Sequence, residues 1–148
     1  MGAITGRADV EVLSRDECLR LLVTAPVGRA AVAMVGEAPL VVPVNFLYVD
    51  GRIFFRTDYG TVFRSAVLSE HPMSFQVDSV DVDRRTGWSV LVQGRAVEAG
   101  DWEATSVPLQ PWAAGAKDHL VALAPATVTG RRLLLPDLPG WPDAEAYL

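Results

Sequence analysis

The sequence predicts a mainly β domain, a small antiparallel barrel of about six strands flanked by two or three helices. Three observations carry that prediction. Two segments, Met73 to Asp78 and Trp88 to Ala96, alternate with the period of two that a strand has. An Asp50-Gly51 pair separates two apolar runs, the chemistry of a tight type I′ hairpin. The strands succeed one another as hairpins and do not alternate one-for-one with long helices, as a doubly wound parallel sheet requires.

Each element follows in order. Ser14-Arg15-Asp16-Glu17 is a capping box with Leu13 as its hydrophobic staple, so a helix begins there. Its apolar stripe is Cys18, Leu19, Leu22 and Val23, and Pro26 with Gly28 stops it. Val27 to Val35 is β-branched or small and reads as a strand, with turn chemistry at Gly36-Glu37-Ala38. Leu40 to Val49 forms the next strand, and Arg52 to Thr57 pairs back onto it through Asp50-Gly51. Asp58 to Glu70 carries Val62, Phe63, Ala66 and Val67 at helical spacing. Met73, Phe75 and Val77 alternate with Ser74, Gln76 and Asp78, and Trp88, Val90, Val92 and Ala96 with Ser89, Leu91, Gln93 and Arg95, giving two more strands. Between them Asp78, Asp81 and Asp83, followed by Arg84 and Arg85, read as a solvated turn without the Gly and distant Glu of a calcium loop. Asp118 to Leu135 is a weakly alternating sixth strand after a Pro-interrupted stretch. Residues 1–135 are thus expected as one domain. Residues 136–148, with Pro136, Pro139 and Pro142, are expected as an extended surface tail.

Composition sets the outer bounds. A chain of 148 residues is of single-domain length. With 50% hydrophobic and 21% charged residues and a mean hydropathy of +0.23 it is too apolar for intrinsic disorder. A net charge of −5 and a pI near 4.9 exclude a sequence-independent nucleic-acid binder, which needs a basic face for the phosphates. The single cysteine, Cys18, cannot close an internal disulfide or, with His71 and His119 alone, build a Cys-based metal site, so a reduced cytoplasmic setting is expected. The first thirteen residues lack the apolar core of a signal peptide, and no later apolar run reaches membrane-spanning length. Gly6 stands where a myristoylation signal needs Ser or Thr.

No Gly-x-Ser-x-Gly elbow, Walker loop or Gly-x-Gly-x-x-Gly turn is present, which removes the hydrolase and Rossmann readings. Cys18 lies on the apolar stripe of the first helix, a core position. Phe55 to Arg64 is the most informative stretch. There a strand runs into a Gly60-Thr61 pair that opens a helix, whose free N–H groups favour phosphate, with Arg56, Thr57, Thr61 and Arg64 as further donors. The alternative is that Asp58 or Thr61 caps the helix and the arginines are solvated. Pro43 and Asn45 inside an apolar strand point to a bulged or edge strand beside a ligand, or to a barrel corner where backbone satisfies the amide. Trp88 and Ser89 open a strand with an aromatic ring and a hydroxyl, suited to a planar heteroaromatic ligand or to plain core.

In order and spacing these pieces resemble the pyridoxamine 5′-phosphate oxidase-like family of FMN-binding split barrels. The resemblance is carried by Leu13, Ser14, Cys18 and Leu19, by Val27-Gly28-Arg29, Val42-Pro43-Val44-Asn45-Phe46, Asp50-Gly51 with Ile53 and Phe55-Arg56-Thr57, by Gly60-Thr61, and by Gly87-Trp88-Ser89-Val90 with Val92 and Gly94. Pro111-Trp112-Ala113, Asp118-His119 and Val128-Thr129-Gly130-Arg131-Arg132 extend it. The resemblance implies a six-stranded split barrel and a homodimer with FMN between subunits. Val42, Pro43, Val44 and Asn45 would lie along the flavin ring, Arg56, Thr57, Thr61 and Arg64 at the phosphate, and Trp88 and Ser89 near the ring. Trp112 and His119 fall where relatives reach the partner's site.

The sequence departs from the family pattern at Val62, which stands where Lys follows Gly-Thr, and Lys117 is the only lysine in the chain. A charge-assisted bond to phosphate is worth roughly 1.5–3 kcal/mol, so one lost contact weakens binding about ten- to a hundredfold, unless Arg64 replaces it as a planar fork. The basic aromatic segments that hold vitamin B6 substrates are absent, as is the His of the nitroimidazole-reductase branch, where Arg56-Thr57 stands. The expected function is a flavin-dependent oxidoreductase acting on an unknown small molecule. The deazaflavin F420 is an alternative cofactor, and a non-enzymatic, degenerate barrel with weak flavin affinity is the reading that Val62 favours.

Overall fold

In the computed structural model, residues 9–57, 65, 67–114 and 119–135 form seven strands and two helices. The capping box predicted at Ser14 is in place. The Ser14 hydroxyl accepts from the Glu17 backbone N–H at 3.3 Å, and Glu17 returns the bond to the Ser14 backbone N–H at 2.9 Å. Helix α1 (Arg15–Leu22) follows, burying Cys18 and Leu22 as the stripe requires. The bonds from Ser14 hold the Glu17 carboxyl below its ordinary pKa.

Strands β2 (Val27–Val32), β3 (Leu40–Val49), β4 (Arg52–Thr57), β5 (Met73–Asp81), β6 (Thr86–Glu98) and β7 (His119–Leu133) close a ring in the order β7-β4-β3-β2-β5-β6, with β6 returning to β7. All neighbours are antiparallel. The ring is the expected six-stranded antiparallel barrel. Asp50 and Gly51 sit at φ +50° and +76°, the left-handed pair that the β3–β4 hairpin demands. The interior is filled by alternating residues of each strand, with Phe75 at its centre, edge-on to Phe46 at 4.9 Å and stacked on Phe55 at 6.3 Å. β6 and β7 shift register at Gln93/Gly94, where a Cβ on Gly94 would lie 2.0 Å from the Ala124 carbonyl oxygen, so this bulge admits only glycine.

Three features lie outside the sequence expectations. A short strand β1 (Val10–Val12) adds to the far half of β7, pinned by Arg132 to Glu11 at 3.0 Å. A six-residue helix α2 (Asp101–Ser106) occupies the Pro-interrupted stretch and covers the outside of β4 with a second small core of Phe54, Leu109, Leu120 and Ala122. Strand β5 runs on to Asp81, so the acidic stretch read as a turn turns only from Val82, and Asp78, within the alternating strand, is neutralised by Arg29 at 3.0 Å. Most of the helix expected at Asp58 to Glu70, and the tail 136–148, lie outside the described residues. No helix among the described residues is long and apolar enough to cross a membrane.

Candidate functional site

β3 pairs with β2 over Leu40–Asn45 and with β4 only from Phe46 onward. Pro43 therefore lies in a stretch flanked by a strand on one side only, the edge position its missing N–H suggests. The pleat divides the four residues expected along a ring. Val42 and Val44 are buried in the barrel core, whereas Pro43 is exposed and Asn45 half-buried on the outer face, opposite Arg29 and Val27 respectively. The Asn45 amide is satisfied by backbone at both ends, donating to the Pro26 carbonyl at 3.3 Å and accepting the Trp112 N–H at 2.9 Å.

At the end of β4 the guanidinium of Arg56 faces protein, not an open anion site. Its Nε donates to the Leu109 carbonyl at 2.9 Å, and one terminal nitrogen donates to the Ala104 carbonyl at 2.7 Å and the Val107 carbonyl at 3.5 Å. These are carbonyls at and beyond the C-terminus of α2, where a cation meets the negative end of the helix. Arg52 pairs with Glu103 on the same helix and lies over the Phe54 ring at 4.8 Å, and it holds the Glu103 carboxyl below its ordinary pKa. Together Arg52, Arg56 and Asn45 fasten residues 100–114 as a strap across β3 and β4. Thr57 is 1% exposed, the only buried polar residue among those described, and pairs across from His119 on β7. The His119 Nδ1 lies 2.6 Å from Glu98. Trp112 is exposed on the strap. Thr61 and Arg64 lie outside the described residues.

Trp88 packs its inner side against the barrel core and forms a wall of two clefts. The smaller, about 310 Å³, runs from Thr24 to Val27 beside Arg29 and Asp78, and so adjoins the Pro26 and Arg29 neighbours of Asn45 and Pro43. The larger, about 620 Å³, lies at the β5–β6 hairpin and takes in Ser89. Asp78 sits between them, bonded to Arg29 and to Gln76 at 3.0 Å each. Apart from Val42 and Val44 in the core, and Thr61 and Arg64 outside the described residues, the residues singled out in the sequence thus fall in three neighbouring places: the outer face of β3 with the smaller cleft, the strap at the end of β4, and the larger cleft.

Among the described residues no group of three His, Cys, Asp or Glu side chains is placed to hold a metal ion. Burial pushes the Cys18 thiol pKa up, away from the thiolate that nucleophilic chemistry needs. What these clefts present to a ligand is an aromatic wall, a flat strand face and a set of charges. Sequence reasoning missed the strap and the Arg29–Asp78 pair. Glu103, three residues after Gly100 in a Pro-flanked segment, was the available sign of the strap's helix.

Comparison with known proteins bears on the same region. A family model described as pyridoxamine 5′-phosphate oxidase matches residues 14–132. The chain is 38% identical over 133 residues to an uncharacterised protein of Mycobacterium tuberculosis, covering 85% of this chain and 87% of that one. Among solved structures it is similar to an FAD binding protein from Mycobacterium smegmatis, with 33% identity, a TM-score of 0.67, and coverage of 84% of this chain and 99% of that one. A FAD-binding protein from Mesorhizobium loti is 26% identical with a TM-score of 0.70, covering 85% and 98%.

Proposed function

The chain belongs to the pyridoxamine 5′-phosphate oxidase family, and from that premise we propose that it binds a flavin, FMN in the first instance, as a cytoplasmic oxidoreductase acting on a small molecule. The observation that carries the reading is the 33% identity to a described FAD binding protein along nearly the whole of that chain. A bound flavin supplies the redox chemistry, so the protein's part is to hold it, orient it and keep water away.

The residues present fit the ring end of such a group. Pro43 offers a flat apolar surface beside Arg29, the Asn45 amide fixes the strap at its border, and Trp88 walls the adjoining smaller cleft. Val42 and Val44 act from behind, setting the pleat that turns Pro43 outward. At the phosphate end Arg56 holds the strap, so the anion contact is assigned to Thr61 and Arg64. Val41 and Leu91, exposed on the same outer sheet face, support a homodimer in which a second copy covers that face and the cofactor between them. A second reading, FAD, is favoured by the description of the two relatives.

The test is mass spectrometry of whatever copurifies under native conditions, followed by titration of the stripped protein with FMN, FAD, riboflavin and F420. Tightest binding of FMN, with riboflavin weaker, supports the proposal, and tightest binding of FAD moves it to the second reading. A colourless protein that binds none of the four overturns it.

A further inference from the structure

Strand β7 ends at the larger cleft, and residues 136–148 set out from its border. The Leu134 N–H donates to the Asp9 carbonyl at 2.9 Å, so the chain leaves the sheet next to β1, and both Leu133 and Val10 line the cleft. Strand register sets Val80, Gly87, Leu133 and Val10 side by side across four strands. That row is an apolar trough. Val80, Leu133 and Val10 are 68%, 42% and 55% exposed, and the gap at Gly87 cannot be filled by a larger residue, since a Cβ there would lie 2.5 Å from the Ser79 carbonyl oxygen. From β1 to β5 the trough crosses three strand spacings, about 14 Å.

Residues 136–148 carry its complement. Pro136, Pro139 and Pro142 recur every third residue, the period of a polyproline II helix, which would put Leu138 and Trp141 on one edge and Asp137 and Asp143 on another. Prolines cannot extend a β-ladder, so such a segment docks through its side chains against an aromatic-lined groove, and Trp88 supplies the aromatic wall. At about 3.1 Å per residue the stretch from Leu135 to Trp141 reaches about 19 Å, enough to cross the trough. The charges match as well. The segment holds Asp137, Asp143 and Glu145 and no Lys, Arg or His. In the cleft Asp78 already accepts from Arg29, and Asp81 from Arg84, whereas Arg85 and Arg131 have no carboxylate partner among the described residues. We propose that residues 136–148 dock into the larger cleft of their own chain, with Leu138 and Trp141 in the trough over Gly87 and the three carboxylates toward Arg85 and Arg131. A segment held there covers the outer side of Trp88 and closes this end of the sheet face to other ligands until it is displaced. The docking does not rest on the flavin reading.

The experiment places a nitroxide spin label on Gly140→Cys in the full, isotope-labelled chain, stripped of any copurified ligand and with the buried Cys18 left in place. The backbone amides of Val80, Val82 and Gly87 should broaden, and those of Gly36 and Glu37, in the β2–β3 turn outside the cleft, should stay sharp. Arg85→Gln and Arg131→Gln should each lower the ratio of docked to undocked chain roughly two- to fivefold, the worth of an exposed ion pair. Trp141→Ala should abolish the broadening, while Arg95→Gln, on β6 outside the cleft, should leave it unchanged. The same label on Ala144→Cys repeats the measurement from a second position. In an equimolar mixture of isotope-labelled chain without nitroxide and unlabelled chain with it, the cleft amides should stay sharp. Sharp cleft amides with both labels, or broadening that survives Trp141→Ala and both cleft arginine variants, overturns the proposal. Broadening in the mixture as strong as within one chain assigns the segment to a second copy and overturns it too. Because no cofactor is present, docking in a protein that binds no flavin refutes the flavin proposal alone, and absence of docking leaves flavin binding to its own titration.

Discussion

Replacing Arg56 with alanine separates two roles that one residue at the end of β4 can play. In the structure its guanidinium makes two well-formed bonds, to the Leu109 and Ala104 carbonyls, and a longer one to Val107. Hydrogen bonds from a charged donor are worth roughly 1.5–3 kcal/mol each, which gives about 3–6 kcal/mol for the two. The site is only partly buried, so water recovers some of that loss, and about 2–4 kcal/mol is the working figure. At this chain length 1 kcal/mol moves the midpoint of thermal unfolding by about 2–4 °C, so Arg56→Ala should melt roughly 5–15 °C lower. Because the strap then loosens beside the proposed ring surface, FMN and riboflavin should weaken together. Circular dichroism melting and parallel titration of both flavins provide the assay, with Arg56→Lys as an intermediate that keeps charge but loses the fork. A variant that melts within about 2 °C of the parent while losing FMN tenfold more than riboflavin would show that Arg56 grips the phosphate, and the strap argument would be wrong.

Other expectations follow from single contacts. Gly94→Ala should destabilise by more than about 2 kcal/mol, read as a shift in the urea midpoint, because the new Cβ meets a backbone carbonyl that cannot move aside; Gly100, with open space around it, should accept alanine at little cost. The Glu103 carboxyl is held below its ordinary value of 4.5 by Arg52, so its contribution is present above that value and is lost as pH falls through the lowered one. Glu103→Gln should therefore flatten the acid limb of a stability–pH profile, and an unchanged slope would remove Arg52–Glu103 as its source. Cys18, buried with its pKa pushed up, should react with a disulfide reagent only at the rate at which the chain opens, and prompt labelling of the native protein would place α1 wrongly.

The barrel was legible because its signals are local and periodic. The capping box at Ser14, the Asp50-Gly51 turn and the alternation through Met73 to Val77 each dictate geometry within a few residues, and all appear at the expected positions. Strand β1 was not legible: three residues are too few to display a period, and their pairing depends on a strand more than a hundred positions away. The Arg29–Asp78 pair was hidden for a related reason, since the two residues are forty-nine positions apart and nothing near either in the chain announces it. Asn45 and Arg56 were recognisable as polar groups needing partners, but the same need is met by a ligand or by backbone. Only the folded position of residues 100–114 shows that backbone meets it.

Strand β7 pairs with β1, β4 and β6, and it is the last of the seven in order of synthesis. A chain emerging from the ribosome can form the β3–β4 and β5–β6 hairpins early, yet the edges of β4 and β6 stay unpaired until residues 119–133 have been translated. During that interval the nascent protein carries two open β-edges next to an unfilled hydrophobic interior, the state in which strand-to-strand aggregation competes with folding. Yield in a cell should accordingly depend on how quickly this final segment follows the rest, and on chaperone supply, more than on the stability of the finished barrel.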